Sequence, residues 1–384
     1  MDKLLSVIVP VYNVAPYLPK CLESILSQGD AVSQLICVND GSTDNGLEIL
    51  KQYAEKHSKL IIVDKPNGGL VSARKAGLKL SQTKYTMYID SDDYVADNYF
   101  SEMVKCAEQY GADIVTSGLY RNFGDNILED KEFVNPGLYV RGSNLDELLN
   151  NLVIKDRFFT YGINDSLVTK LFRTDYLKEY QYLVDDRISV SEDTAVTFPA
   201  LLNADKVYVT GKCWYHYCQR EGSIMNMTHV ENKESIEKLK LALDYVESFL
   251  NRDGITESIK EQFKIFQMYM MLLSNASETI TYSNGVLFPY GEIRKDEKIV
   301  VYGAGGFGRA LHNFLVTNSF NVVAWADKYV KNEKVIGLDE LAQIEFDKIL
   351  IGVLQGKTLA SIREQFMKSN VTGEKIMYPN VNLV

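Results

Sequence analysis

Leu5-Ser6-Val7-Ile8-Val9-Pro10-Val11-Tyr12-Asn13 reads as a strand running into a loop. Leu5 to Val9 is a short β-rich apolar run, and Leu18, Cys21, Leu22, Ile25 and Leu26 then recur at helical spacing. The pattern returns with Leu35 to Val38, a Gly-Ser-Thr-Asp turn at Gly41 to Asp44 able to cap a helix, and Leu47 to Tyr53. Leu60 to Val63 and Tyr85 to Ile89 supply further strands. This alternation predicts an α/β fold with a mostly parallel sheet covered on both faces.

Farther along, the signal turns helical. Leu239, Leu243, Val246 and Leu250 mark one stripe; Ile259, Phe263, Phe266, Met270 and Leu273 mark another, and two packed helices account for both. The Met and Phe of the second stripe suit a buried face or a lipid-contacting one. After Ser283-Asn284-Gly285 and Pro289, Lys298 to Tyr302 starts a strand that enters Gly303-Ala304-Gly305-Gly306-Phe307-Gly308. Gly303, Gly305 and Gly308 match a dinucleotide fingerprint, and Asp327, after the strand Val322 to Trp325, stands where a ribose-binding acid would lie. The alternative there is that the glycines only allow tight strand-to-helix packing. The expected domains are 1–230, a helical segment and linker over 231–290, and a small Rossmann-like α/β domain over 291–384.

The chain has 384 residues, 46% hydrophobic and 24% charged, enough for two or three ordinary domains. Its formal net charge of −10 argues against capture of nucleic acid, which needs a basic face. Cys21, Cys37, Cys106, Cys213 and Cys218 are scattered and odd in number, unlike a disulfide framework, so a cytoplasmic location is expected. Met1-Asp2-Lys3-Leu4-Leu5 shows no secretory signal, and no apolar run reaches the roughly 18 residues of a membrane span. Peripheral association with the inner membrane face and homo-oligomerisation stay open.

Chemistry concentrates in the acids. Asp40 and the cluster Asp90-Ser91-Asp92-Asp93 both follow apolar strands, and ligands of open α/β sheets gather at such carboxyl ends. Three carboxylates within four residues suit a hard divalent cation bridging to phosphate. They equally suit an acidic turn capping a helix over Tyr94 to Tyr110. Glu192 and Asp193, ahead of the apolar Thr194 to Leu202, likewise suit either catalysis or a helix N-terminus.

Four ordered features resemble glycosyltransferase family 2, a large inverting family with the GT-A fold. They are Ser6 to Asn13, Val38 to Asp44, Asn67-Gly68-Gly69 with Ser72-Ala73-Arg74, and Asp90 to Asp93. The resemblance covers roughly Leu4 to Met227. It implies a GT-A nucleotide-sugar-binding domain and a UDP-linked donor, with dTDP and GDP donors left open. It also implies a saccharide or lipid-linked glycan acceptor, a role in surface polysaccharide assembly, and Mn²⁺ or Mg²⁺.

By that resemblance Pro10, Tyr12 and Asp40 would line the base and ribose pocket. Asn39 stands where the family often has Asp, exchanging a charged contact for a neutral amide. Arg74 and its helix start would face the diphosphate. Asp90 and Asp92 would contact the donor, Asp92 and Asp93 the metal. Ser191-Glu192-Asp193 resembles the acidic base motif, with Asp193 as general base. Trp214-Tyr215-His216-Tyr217 with Arg220, Ser223 and Ile224 resembles a segment that closes over the donor, His216 meeting metal or diphosphate and Arg220 phosphate. A packed aromatic strand is the other reading of His216, and zinc on Cys213, His216 and Cys218 a weak third. Val168 to Phe172, around Lys170-Leu171, resembles a segment near the acceptor side. The rival functions are a non-catalytic sugar-nucleotide sensor, a sugar nucleotidyltransferase lacking its glycine-rich loop, and a redox protein using the C-terminal glycines.

Overall fold

The structure, a computed structural model, describes residues 4–123, 126–153, 161–218, 233–252, 254–341, 343–354, 359, 362, 366 and 373–380. They form two compact units. The first holds the described residues of Met1–Leu152, Tyr161–Ser223 and Glu237–Ile255; the second holds those of Val153–Thr160, Ile224–Ile236 and Thr256–Val384. The stretch 231–290 is thus shared between the units.

The first unit opens β1 (Leu5–Val11), α1 (Leu18–Leu26), β2 (Gln34–Asp40), α2 (Gly46–Lys56), β3 (Leu60–Lys65), α3 (Gly69–Leu80) and β4 (Tyr85–Tyr88). Every residue of β1 and β2 is buried, which is why Val7–Val11 and Leu35–Val38 read as continuous apolar runs rather than alternating ones. The strands β3, β2, β1 and β4 lie side by side and parallel, with Val7 level with Leu35 and Met87. Their carboxyl ends therefore share one edge.

Beyond β4 come β5 (Tyr94–Val95), α4 (Tyr99–Tyr110), β6 (Ile114–Phe123), β7 (Asn126–Asp130), β8 (Gly137–Val140) and α5 (Leu145–Leu149). They are followed by β9 (Lys170–Arg173), α6 (Thr174–Gln181), α7 (Glu192–Asn203) and β10 (Lys206–Cys218). The sheet order is β3-β2-β1-β4-β9-β6-β10-β5, with β7 on β6 and β8 on β10. The parallel arrangement expected from the alternation is the β3-β2-β1-β4 half. In the other half β9 inserts antiparallel to both β4 and β6, and only β6 and β10 run parallel. The sheet is mixed α/β.

In the second unit a three-stranded sheet of β11 (Thr281–Ser283), β12 (Val286–Phe288) and β13 (Gly291–Glu292) precedes a parallel one. The latter has the order β15-β14-β16-β17, from β14 (Ile299–Tyr302), β15 (Val322–Ala326), β16 (Lys348–Ile351) and β17 (Ile376–Met377). The helix Gly306–Thr317 follows β14, and Val300, Tyr302, Ala326, Ile349 and Ile351 belong to the core. The two expected helices are Lys233–Leu250, burying Leu239, Leu243, Val246 and Leu250, and Glu257–Ser274, burying Ile259, Phe263 and Phe266. The second stripe continues through Tyr269 and Leu272 rather than Met270 and Leu273. Among the described residues no helix is long and apolar enough to cross a membrane.

Helix α3 carries the arginine that pairs with the acids. Its buried face is Val71, Ala73, Arg74, Gly77 and Leu78, so the helix carries a cation on its apolar side. The close approach needs Gly77: a Cβ there would fall 2.4 Å from Ile8 Cγ2 and 3.2 Å from Val38 Cγ2. Gly77→Ala is therefore expected to lift α3 from the sheet and to cost about 1–3 kcal/mol by overpacking. Denaturant unfolding checks this, and an unchanged midpoint contradicts it.

Candidate active site

Three loops at the shared strand edge are tied to one another. Asn13 Oδ1 after β1 accepts from Thr43 N at 2.8 Å, and Asp44 Oδ2 accepts from Ala15 N at 2.8 Å. Asn67 Nδ2 after β3 donates to Asp40 O at 3.0 Å. Gly41, at φ +71°, brings its Cα against this contact, where a Cβ would sit 2.6 Å from Asn67 N. Pro10 lies within buried β1, and Tyr12 just beyond it is 51% exposed.

Asp40 is buried and its carboxylate is occupied. Oδ1 pairs with Lys65 Nζ and accepts from Gly68 N at 3.0 Å; Oδ2 accepts from Gly69 N at 2.8 Å. It thus caps α3 from the end of β2, where negative charge meets the helix amides. Asn39 Nδ2 donates to Asp64 Oδ1 at 2.7 Å, a pairing of amide with acid that two aspartates could not make without a shared proton.

One turn into α3, Arg74 is 1% exposed and gathers acids from two other segments. Nη1 donates to Asp193 Oδ1 at 2.5 Å and lies 3.9 Å from Glu192 Oε1, while Nη2 reaches Asp90 Oδ1 at 3.4 Å. Burial alone would favour neutral arginine, but the Asp193, Asp90 and Glu192 charges outweigh it and keep the guanidinium charged. Partial removal from water raises Asp90 to about 6, against the lowering pull of Arg74. Burial, then the Asp193 charge, also push Glu192 above the usual carboxylate range. The expected diphosphate ligand is therefore engaged, at both terminal nitrogens, by carboxylates of its own chain.

Asp193 sits in the first turn of α7, behind Ser191 in a left-handed conformation, φ 58°. Besides Arg74 it meets a loop: Oδ2 accepts from Leu167 N at 3.1 Å and Ser166 Oγ at 3.3 Å. An ionised carboxylate has about four lone-pair sites, so these three donors leave one for a further hydroxyl. The Asp193 side chain is 21% exposed.

The acidic cluster after β4 does not cap a helix. A tight turn, Asp93 N to Asp90 O at 3.1 Å, leads into β5, and α4 starts only at Tyr99. Asp92 is half-buried. Asp93 is buried, and its oxygens accept from Tyr215 Oη at 2.5 Å and Cys218 N at 2.7 Å, which fastens the cluster to β10. His216 lies between the rings of Tyr94 and Tyr120, at 4.3 and 4.8 Å, with Nδ1 3.3 Å from Asn122 Oδ1. Among the described residues no three His, Cys, Asp or Glu side chains converge as a ready-made metal cage, so zinc on Cys213, His216 and Cys218 has no support. Arg220 lies outside the described residues.

Sequence reading did not single out Ser166 and Leu167 against Asp193, Lys65 against Asp40, or Tyr215 against Asp93. All are long-range pairings with no local pattern.

In the second unit Gly303 and Gly308 answer to packing. A Cβ on Gly308 would lie 2.1 Å from Gly303 O, and one on Gly303 2.9 Å from Gly352 O, whereas Gly305 faces open space. Both Asp327 oxygens serve the backbone: Oδ2 accepts from Ala304 N at 2.7 Å, and Oδ1 from Tyr329 N at 2.7 Å and Val330 N at 2.9 Å.

Residues 6–161 match the family profile described as Glycosyl transferase family 2, and residues 295–377 match one described as C2185-like, N-terminal. The chain is 30% identical over 283 residues to a protein named uncharacterized glycosyltransferase EpsJ from Bacillus subtilis (strain 168), covering 72% of this chain and 79% of that one. It is 26% identical over 261 residues to poly(ribitol-phosphate) beta-N-acetylglucosaminyltransferase TarS of Staphylococcus aureus (strain MW2), covering 67% of this chain and 42% of TarS. The crystal structure of S. aureus TarS 1–349 in complex with UDP-GlcNAc superposes with a TM-score of 0.52 at 21% identity, over 72% of this chain and 82% of that one. That likeness is one of fold, the GT-A fold.

Removing one partner of a buried charge cluster strands the others. Arg74→Met is expected to cost about 3–5 kcal/mol of unfolding free energy, since it leaves Asp90, Glu192 and Asp193 without their cation. Adding Asp193→Asn should return part of the loss. A loss below about 1 kcal/mol in Arg74→Met by denaturant unfolding would mean that the cluster is not held by this cation.

Proposed function

The chain belongs to glycosyl transferase family 2, and from that premise we propose that it transfers a sugar, with inversion, from a UDP-linked donor to a hydroxyl of a glycan acceptor. Relatives are named as glycosyltransferases, including one for poly(ribitol-phosphate), and we extend this to assembly of a surface polysaccharide or teichoic-acid-like glycan. The observation that carries the reading is the meeting of two acidic segments on one buried arginine: the Asp90 to Asp93 turn at the end of β4 and Asp193 at the start of α7.

In this proposal the acceptor hydroxyl gives its proton to Asp193 as its oxygen attacks the anomeric carbon. The bond from that carbon to the phosphate oxygen breaks, and nucleoside diphosphate leaves. One base and no covalent intermediate give inversion. Support comes from the open lone-pair site on Asp193 and from the hold of Arg74, Ser166 and Leu167 on its other sites, which keeps the base oriented without a moving part.

The donor set after β4 fits a hard divalent cation. Asp90 and Asp92 offer oxygens at the strand end, while Asp90, Glu192 and Asp193 share the charge of Arg74, so negative charge is in excess there. We assign Mn²⁺ or Mg²⁺ to Asp90 and Asp92, where it would offset charge on the leaving diphosphate. Asp93 and His216 are given supporting roles in place of ligation, Asp93 anchoring the turn to β10 and His216 packing beside it. Pro10, Tyr12 and the loop capped by Asp40 are assigned to the nucleotide. Arg74 is assigned to holding Asp193.

Turnover of a UDP-sugar panel tests these assignments. Excess EDTA and Asp92→Ala should each remove most activity. Asp193→Asn should keep donor affinity while turnover falls about 10²-fold, and an equal loss of affinity would make Asp193 a binding residue. NMR of the product should show the anomeric configuration inverted; retention would sink the mechanism.

For the second unit we propose docking or assembly without hydride transfer, because Asp327 and two of the three glycines are engaged in packing. Incubated with NADH or NADPH, the protein should leave the nicotinamide absorbance steady. Oxidation lost in Gly305→Asp would make the chain bifunctional.

A further inference from the structure

Lys170 is fully buried at the first position of β9, and a buried ammonium is costly unless its donors are used. They are used on a single short loop. Nζ donates to Asn164 O, to Ser166 O at 2.9 Å and to Thr169 Oγ1 at 3.3 Å. Burial pulls the ammonium toward neutrality, and the Glu132, Asp165 and Asp193 charges oppose it.

The loop so gathered is the one that holds Asp193. Ser166 Oγ and Leu167 N both point at Asp193 Oδ2. Its other bonds fix the same shape. Asn164 N donates to Glu132 Oε2 at 2.6 Å, Asn164 Oδ1 accepts from Ser166 N at 2.9 Å, Thr169 Oγ1 donates to Ser166 O at 3.0 Å, and Asp165 accepts from Thr194 Oγ1 on α7. Two carbonyls turned inward onto one ammonium leave the Ser166 hydroxyl and the Leu167 amide facing outward, toward α7.

We propose that Lys170 is a positioning residue for transfer: its ammonium folds the 164–167 loop into the cradle that orients the Asp193 carboxylate toward the acceptor. This deepens the reading of Asp193 as general base and rests on it. Lysine suits the place because a compact ammonium with three rotatable donors can meet three acceptors at close range, which a planar guanidinium cannot reproduce.

The test compares wild type, Lys170→Met, Lys170→Arg, Ser166→Ala and Asp193→Asn in the full chain. Activity is read as Mn²⁺-dependent hydrolysis of whichever of UDP-glucose, UDP-galactose or UDP-GlcNAc the wild type turns over. Lys170→Met should lower kcat about tenfold or more with donor KM within about threefold, and should displace the pH profile of kcat. Ser166→Ala should move both in the same direction by less, and Lys170→Arg should not restore wild-type kcat. A crystal structure of Lys170→Met should show Ser166 and Leu167 withdrawn from Asp193. Should Lys170→Met not be recovered folded, Lys170→Arg carries the same kinetic and structural expectations. An unchanged kcat and pH profile, a loss confined to KM, or a retained cradle in the variant structure would overturn the proposal. If Asp193→Asn turns over like wild type, or if wild type turns over no UDP-sugar, the base or donor reading fails instead, and the variant structure still decides what Lys170 holds.

Discussion

A charged guanidinium sits on the apolar side of α3, and the rest of the site is arranged around its neutralisation. Arg74 cannot be withdrawn to solvent, because Gly77 on the same face presses the helix onto Ile8 and Val38. It must therefore be met inside the protein, and the groups that meet it arrive from the end of β4 and from the start of α7. Charge pairing thus joins segments that are far apart in the chain. The attraction is worth having only because each carboxylate is also hydrogen-bonded or partly open to water.

Joining these segments has a chemical consequence. Asp193 is fixed on one side by Arg74 and on the other by the 164–167 loop, while Asp90 and Asp92 stand at the neighbouring strand end. The acids outnumber the cation that joins them. An arrangement with surplus negative charge suits substrates that bring positive charge, such as a cation carried with a diphosphate. Asp40 shows the same economy at the adjacent strand: its carboxylate caps α3 and thereby sets the helix that carries Arg74.

The strands and helices were legible because burial on both faces writes continuous apolar runs, as in Val7–Val11 and Leu35–Val38. The acids were legible as residues, since Asp40, the Asp90 to Asp93 cluster and Asp193 follow strands or open helices. Their partners were not. Which carboxylate meets Arg74, and which loop meets Asp193, is set by how the chain packs beyond β4, where β9 enters antiparallel between β4 and β6. Hydrophobic periodicity carries no record of that insertion. In the second unit the glycine pattern was visible, but only the closeness of Gly308 to Gly303 O and the amides on Asp327 reveal how much of it serves packing.

In the proposed assignment Arg74 organises the base while Asp90 and Asp92 serve the donor. A crystal structure of the protein with UDP and Mn²⁺ tests it most directly. Manganese is expected on carboxylate oxygens of Asp90 and Asp92, with the diphosphate on the manganese and the Arg74–Asp193 pair intact. Phosphate oxygens bound directly to Arg74 with Asp193 displaced, or UDP seated at the Gly303 to Gly308 turn, would contradict it.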